Sequence, residues 1–92
     1  WVEIRKFDSK NFALWKEMMQ DVLIIQCQIE AIWQNTKLTS MIAEEWRSLD
    51  EIATLTIRMY LAENVYFSMA KEMLAYTLWE KLQVVYEKKS SS

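Results

Sequence analysis

The chain has 92 residues, enough for one domain and too few for two, so 1–92 reads as a single unit. Glycine and proline are both absent, which leaves tight β-hairpins and glycine-capped helix ends without their usual residues; the expected fold is all-α, a small bundle of about four to five helices. A net charge of −2 from 11 basic and 13 acidic residues gives no basic footprint for nucleic acid, and the longest strongly apolar run, Val22 to Ile25, is far below the ~20 residues of a membrane span.

Residues 1–10 read as an ordered, irregular arm in which Trp1, Val2, Ile4 and Phe7 alternate loosely with charges. Asn11 is a candidate N-cap, because its side chain can accept a bond from the free amides of a first turn. Trp15, Met18, Val22, Ile25, Ile29 and Ile32 then recur in steps of three and four, the spacing of one helix face. The pattern predicts a helix over about 12–28 and a shorter one to about 33. Residues 34–40 form a polar connector, with Ser40 placed to cap a helix over about 41–62. That helix carries Ile42, Trp46, Leu49, Ala53, Ile57 and Tyr60 on one stripe and Ile52, Leu55 and Met59 on a second, the pattern of a central bundle helix.

Glu63-Asn64 marks a break before a short helix near 64–71. The last helix, about 74–88, aligns Ala75, Leu78, Leu82 and Val85, flanked by Trp79 and Tyr86. Lys88 and Lys89 suit its C-terminal dipole end, and 90–92 reads as a fraying tail. The expected core anchors are Trp15, Val22, Trp46, Leu49, Ile57, Trp79 and Leu82.

The chemistry set is thin. Histidine is absent, so the commonest general base and metal ligand is missing. Cys27, beside Ile24 and Ile25 in the first helix, reads as a packed apolar thiol; without a partner it suits a reducing, cytoplasmic setting. Glu44-Glu45 and Asp50-Glu51 are neighbours that point different ways on a helix, so they read as a solvated face. No enzyme, metal or cofactor is expected. Arg5, Lys6 and Lys10, with Phe7 and Phe12 nearby, could sketch an RNA groove, but the acidic total argues against nucleic acid through this segment alone.

Five Trp, four Tyr, three Phe and six Met are much bulky surface for a chain this short to hide alone. A homodimer or larger assembly is therefore expected, with Met41, Ile42, Tyr66, Phe67 and Leu74 as candidate self-association residues. Between Glu63 and Ala75 no Gly or Pro enforces a reversal, so helices starting near 41, 64 and 74 could run together in part. A helix that fails to turn back packs on a second chain, which is helix exchange.

Lys6-Phe7-Asp8-Ser9-Lys10-Asn11-Phe12-Ala13-Leu14-Trp15-Lys16 resembles the opening of the Gag segment of copia-type LTR retrotransposons, especially those of plants. Met18 through Ile24, Glu44-Glu45-Trp46 with Leu49-Asp50, Thr56-Ile57-Arg58 with Leu61-Ala62-Glu63, and Leu78-Trp79-Glu80-Lys81-Leu82 with Tyr86 are similar to that family's later blocks, in order. The chain departs at Ser9, where the family usually has Gly, at Ile42-Ala43, often Ser-Asp, at Glu63, usually Asp, and at Leu74, near a usual Thr. The resemblance implies a helical, capsid-type domain that self-associates into the shell of virus-like particles. In the family, RNA is usually handled by a Cys-His zinc knuckle further along, absent from this chain. Starting at Trp1 without Met, the chain reads as a piece of something longer. The main alternative is a domesticated Gag-derived module that binds a host protein or interferes with assembly. An RNA-binding domain and, last, an enzyme complete the set.

Overall fold

A computed structural model describes residues 5–34 and 36–87. Trp1, Val2, Ile4, Lys88, Lys89 and the tail 90–92, all given roles above, lie outside the described residues. The elements run α1 Phe12–Ile25, α2 Glu30–Trp33, α3 Ala43–Met59, α4 Glu63–Ser68 and α5 Ala75–Tyr86, an all-α bundle. α5 packs on α2 and α3, α2 on α3, and α1 on α3. Phe7, Met19, Leu23, Ile57, Val65, Met69, Leu78 and Leu82 fill the centre.

α1 starts at the expected residue by a different device. Asn11 sits at the N-cap in the left-handed region (φ 58°, ψ 49°), which Asn tolerates, and makes no side-chain cap bond. The helix also stops earlier than 28. Gln28 N–H donates to Leu23 O (2.7 Å) and Cys27 N–H to Ile24 O (3.0 Å), the paired closing bonds of a helix end in which the residue after the cap is left-handed. Cys27 occupies that place (φ 59°), usually given to glycine, and is exposed. The packed thiol expected inside α1 is thereby corrected.

Ser40 does not cap α3. The helix begins at Ala43, and Glu45 Oε1 accepts the Ile42 N–H (3.3 Å). α3 buries Asp50, Ala53, Thr54 and Ile57, a narrow stripe of mostly small side chains that lets α5 approach. The second apolar stripe is not buried. Ile52, Leu55 and Met59 are 50%, 51% and 67% exposed, so α3 is apolar on two faces without being covered on both. Trp15, Ile57, Trp79 and Leu82 are buried, and Val22 and Leu49 are half-buried against the core. Trp46 is half-buried but stands outside that cluster and its packed fringe, so it does not anchor the core.

The arm is held by one fully buried ring. Phe7 N–H donates to Tyr60 O (2.8 Å), and Ala62 N–H donates to Phe7 O (2.8 Å), a single parallel bridge across the α3–α4 break. The ring meets Phe12 (5.3 Å), Trp15 (5.2 Å) and Tyr86 (4.9 Å), and Trp15 reaches Trp79 (5.9 Å), a contiguous aromatic cluster.

The second reversal, 69–74, closes within the chain although it has no Gly or Pro. Two α3 side chains hold it. Asp50 Oδ1 accepts the Ala75 N–H (2.8 Å), and Arg58 Nη2 donates to Ala70 O (3.2 Å) and Glu72 O (2.7 Å). Asp50 is thus not part of a solvated face; it caps a helix 25 residues away.

Candidate self-association surface

α3 carries an exposed apolar row. Ile52, Leu55 and Met59 follow one another at steps of three and four, which stacks them on one side of the helix. The sequence pattern makes them the second apolar stripe of a central bundle helix. Periodicity reports that two rows are apolar; it does not report that a small bundle has elements enough to cover one of them.

Ile42 stands in extended backbone (φ −80°, ψ 162°) ahead of α3, 61% exposed, its position fixed by the bond to Glu45. Met41 is half-buried, and its carbonyl accepts from Lys37 Nζ (2.6 Å). On α4, Val65 is buried while Tyr66 and Phe67 are exposed, their rings edge to face at 6.1 Å. Leu74 is exposed at the N-cap of α5. Ile42 and the start of α4 are set apart along α3. α3 spans 17 residues, about 25 Å, so Ile42 lies at one end while Met59, with α4 four residues beyond it, lies at the other.

The basic residues of the arm line a different feature. Arg5, Lys6 and Lys10, with Asp8 among them, border an open cleft of about 490 Å³ against α1. Phe7 and Phe12 are buried in the aromatic cluster, so neither offers a free face on which a base could stack. Among the described residues no group of three or more His, Cys, Asp or Glu is placed to hold a metal ion, and no helix is long and apolar enough to cross a membrane.

The chain matches no protein-family model and no solved structure. It is 33% identical, over 90 residues and 96% of its length, to a Retrovirus-related Pol polyprotein from transposon TNT 1-94 of Nicotiana tabacum, in that protein's N-terminal part. The chain spans 7% of that polyprotein's length. The all-α bundle thus aligns almost end to end with part of such a polyprotein, which supports a retrotransposon-derived segment.

Proposed function

We propose that the chain is a non-enzymatic, Gag-like assembly domain of the copia type that associates with copies of itself to build a particle shell in the cytoplasm. The exposed row Ile52, Leu55 and Met59 carries this reading. An ordered helix with one face on the core and an uncovered apolar row on another is the surface a protein partner needs. The likeness to a retrotransposon polyprotein makes further copies of the same chain the natural partner. RNA handling then belongs to another part of such a polyprotein.

Light scattering coupled to gel filtration, run across concentrations to ~100 μM, tests the reading. The expected mass at the top of the range is at least twice the 11.1 kDa of one chain. Leu55→Asp and Met59→Asp alter exposed positions, so each should change fold stability by only ~0.5 kcal/mol while weakening association about tenfold. A single-chain mass throughout would overturn the proposal.

A further inference from the structure

Residues 69–74 turn the chain back between α4 and α5, and their own preferences oppose the turn. The run Met69-Ala70-Lys71-Glu72-Met73-Leu74-Ala75 is made of strong helix formers, with none of the Gly, Pro, Asn, Asp or Ser residues that make turns. Continued from α4, it would give one helix from Glu63 to Tyr86, about 24 residues and roughly 36 Å long.

The turn is instead selected by α3. In a continuous helix Ala70 O would accept from the Leu74 N–H, Glu72 O from the Tyr76 N–H, and Lys71 O from the Ala75 N–H. Arg58 occupies the first two carbonyls, at 3.2 and 2.7 Å, and Asp50 takes the Ala75 N–H at 2.8 Å. The clasp is imperfect, because Arg58 Nε is buried without a hydrogen-bond partner. Local preference and tertiary clasp therefore favour different states of the same six residues, the condition for a two-state element.

We propose that 69–74 is a hinge with two states: a turn, clasped by Asp50 and Arg58, in the single chain, and a helix when two copies exchange α5. A fused α4–α5 helix cannot fold back onto its own α3. Its buried face of Ala75, Leu78, Trp79 and Leu82 would fill the same groove on α2 and α3 of a second copy. This inference rests on the self-association proposed above and names its route.

The pair Lys16–Glu87, at 2.9 Å, joins α1 to the end of α5 and reports which chain α5 belongs to. Unlabelled and ¹⁵N-labelled chains are unfolded together, refolded at ~100 μM and treated with a carbodiimide, and the Lys16–Glu87 cross-link is read by mass spectrometry. Mixed-isotope cross-links are expected in the wild type and should rise several-fold in Arg58→Ala. Asp50→Asn keeps an acceptor oxygen and should raise them less than Asp50→Ala does. Lys71→Gly, which lowers helix preference in the hinge at an exposed position, should reduce them about tenfold. If Arg58→Ala does not fold, Arg58→Lys keeps the charge on a shorter side chain without the planar guanidinium, weakens the two bonds that Nη2 makes and should shift in the same direction. Cross-links confined to one isotope in every folded variant, while the chain still associates, would overturn the hinge and leave self-association standing. Mixed cross-links indifferent to the Arg58 and Lys71 changes would come from a surface contact and also overturn it. Single chains throughout would overturn both proposals.

Discussion

The chain reverses direction on either side of α4, and the two reversals are built from different parts. At 60–62 the holding groups are mainly backbone: Phe7 lends its N–H and its carbonyl to Tyr60 and Ala62, both at 2.8 Å, and the Trp15 indole adds one side-chain bond to Tyr60 O. At 69–74 they are the side chains of Asp50 and Arg58. A substitution cannot delete a backbone carbonyl and removes a backbone N–H only when it introduces proline, so the first reversal rests mainly on the packing that positions Phe7. The second is clasped by side chains, with a backbone bond from the Glu72 N–H to Met69 O and the Lys81–Glu72 ion pair beside them, and those side chains can be edited one residue at a time. A break made of backbone is a fixed corner, whereas one made of side chains can serve as a joint.

The largest effect is expected where the fixed corner meets the core. Trp15 stacks near Phe7 and Trp79 and donates its indole N–H to Tyr60 O at 3.2 Å. Trp15→Ala should cost about 3–5 kcal/mol in urea unfolding, from lost burial and the cavity left behind. A cost near zero would show that the aromatic cluster does not support the 60–62 corner. Phe7→Ala should come next, at about 3 kcal/mol, and should speed hydrogen exchange at the Ala62 amide. If that amide keeps its protection, the bridge stands without its ring and the distinction between corner and joint weakens.

At the joint the expected cost is smaller and reversible. Asp50→Ala leaves the Ala75 N–H buried and unpaired, which should cost about 1–3 kcal/mol, whereas Asp50→Asn should cost much less. Adding Leu74→Asp to Asp50→Ala supplies a carboxylate from the cap position itself and should return part of the loss. Equal costs for Asn and Ala at position 50 would mean that the bond to Ala75 is not what Asp50 contributes.

These two reversals also mark where sequence reading succeeded and stopped. α1, α3 and α5 were legible because apolar steps of three and four persist over several turns. Phe7 was legible as apolar but not as a clamp, since its partners lie more than fifty positions away and a single bridge leaves no periodic trace. Asp50 sits beside Glu51 in an acidic stretch, so local context favoured solvent; only the position of α5 reveals it as a cap. Cys27 in a left-handed turn was hidden because that place normally announces itself as glycine. The missing turn residues at 69–74 were visible, but the side chains that replace them were in another helix. Of the candidate surface, Ile42, Tyr66, Phe67 and Leu74 are exposed and Met41 is half-buried, while Ile52, Leu55 and Met59, the second stripe of a helix read as central, are exposed as well.

The smallest expected effect separates the two kinds of helix start. Leu74 occupies the N-cap of α5 in extended backbone (φ −109°, ψ 141°), the conformation a capping residue uses, yet no side-chain cap bond is made there. Asp50 serves only the Ala75 N–H, leaving amides of the first turn for a local acceptor. Leu74→Ser therefore needs no backbone change to cap Tyr76 or Thr77, and Leu74 is half exposed, so little packing is lost. A gain of about 0.5 kcal/mol is expected, read as a rise of roughly 2–4 °C in Tm. The same residue placed at Asn11 should do the opposite. Asn11 is left-handed at φ 58°, where its side chain makes no cap bond and where Asn is tolerated better than Ser. Asn11→Ser should lose about 0.5 kcal/mol there. Two serines at two N-caps, moving stability in opposite directions, would show that the α5 start is satisfied from outside and open to a local cap, while the α1 start is set by its backbone. A loss at position 74 would instead mean that Leu74 holds the closed turn by packing, and the joint would then be less editable than the clasp of Asp50 and Arg58 implies.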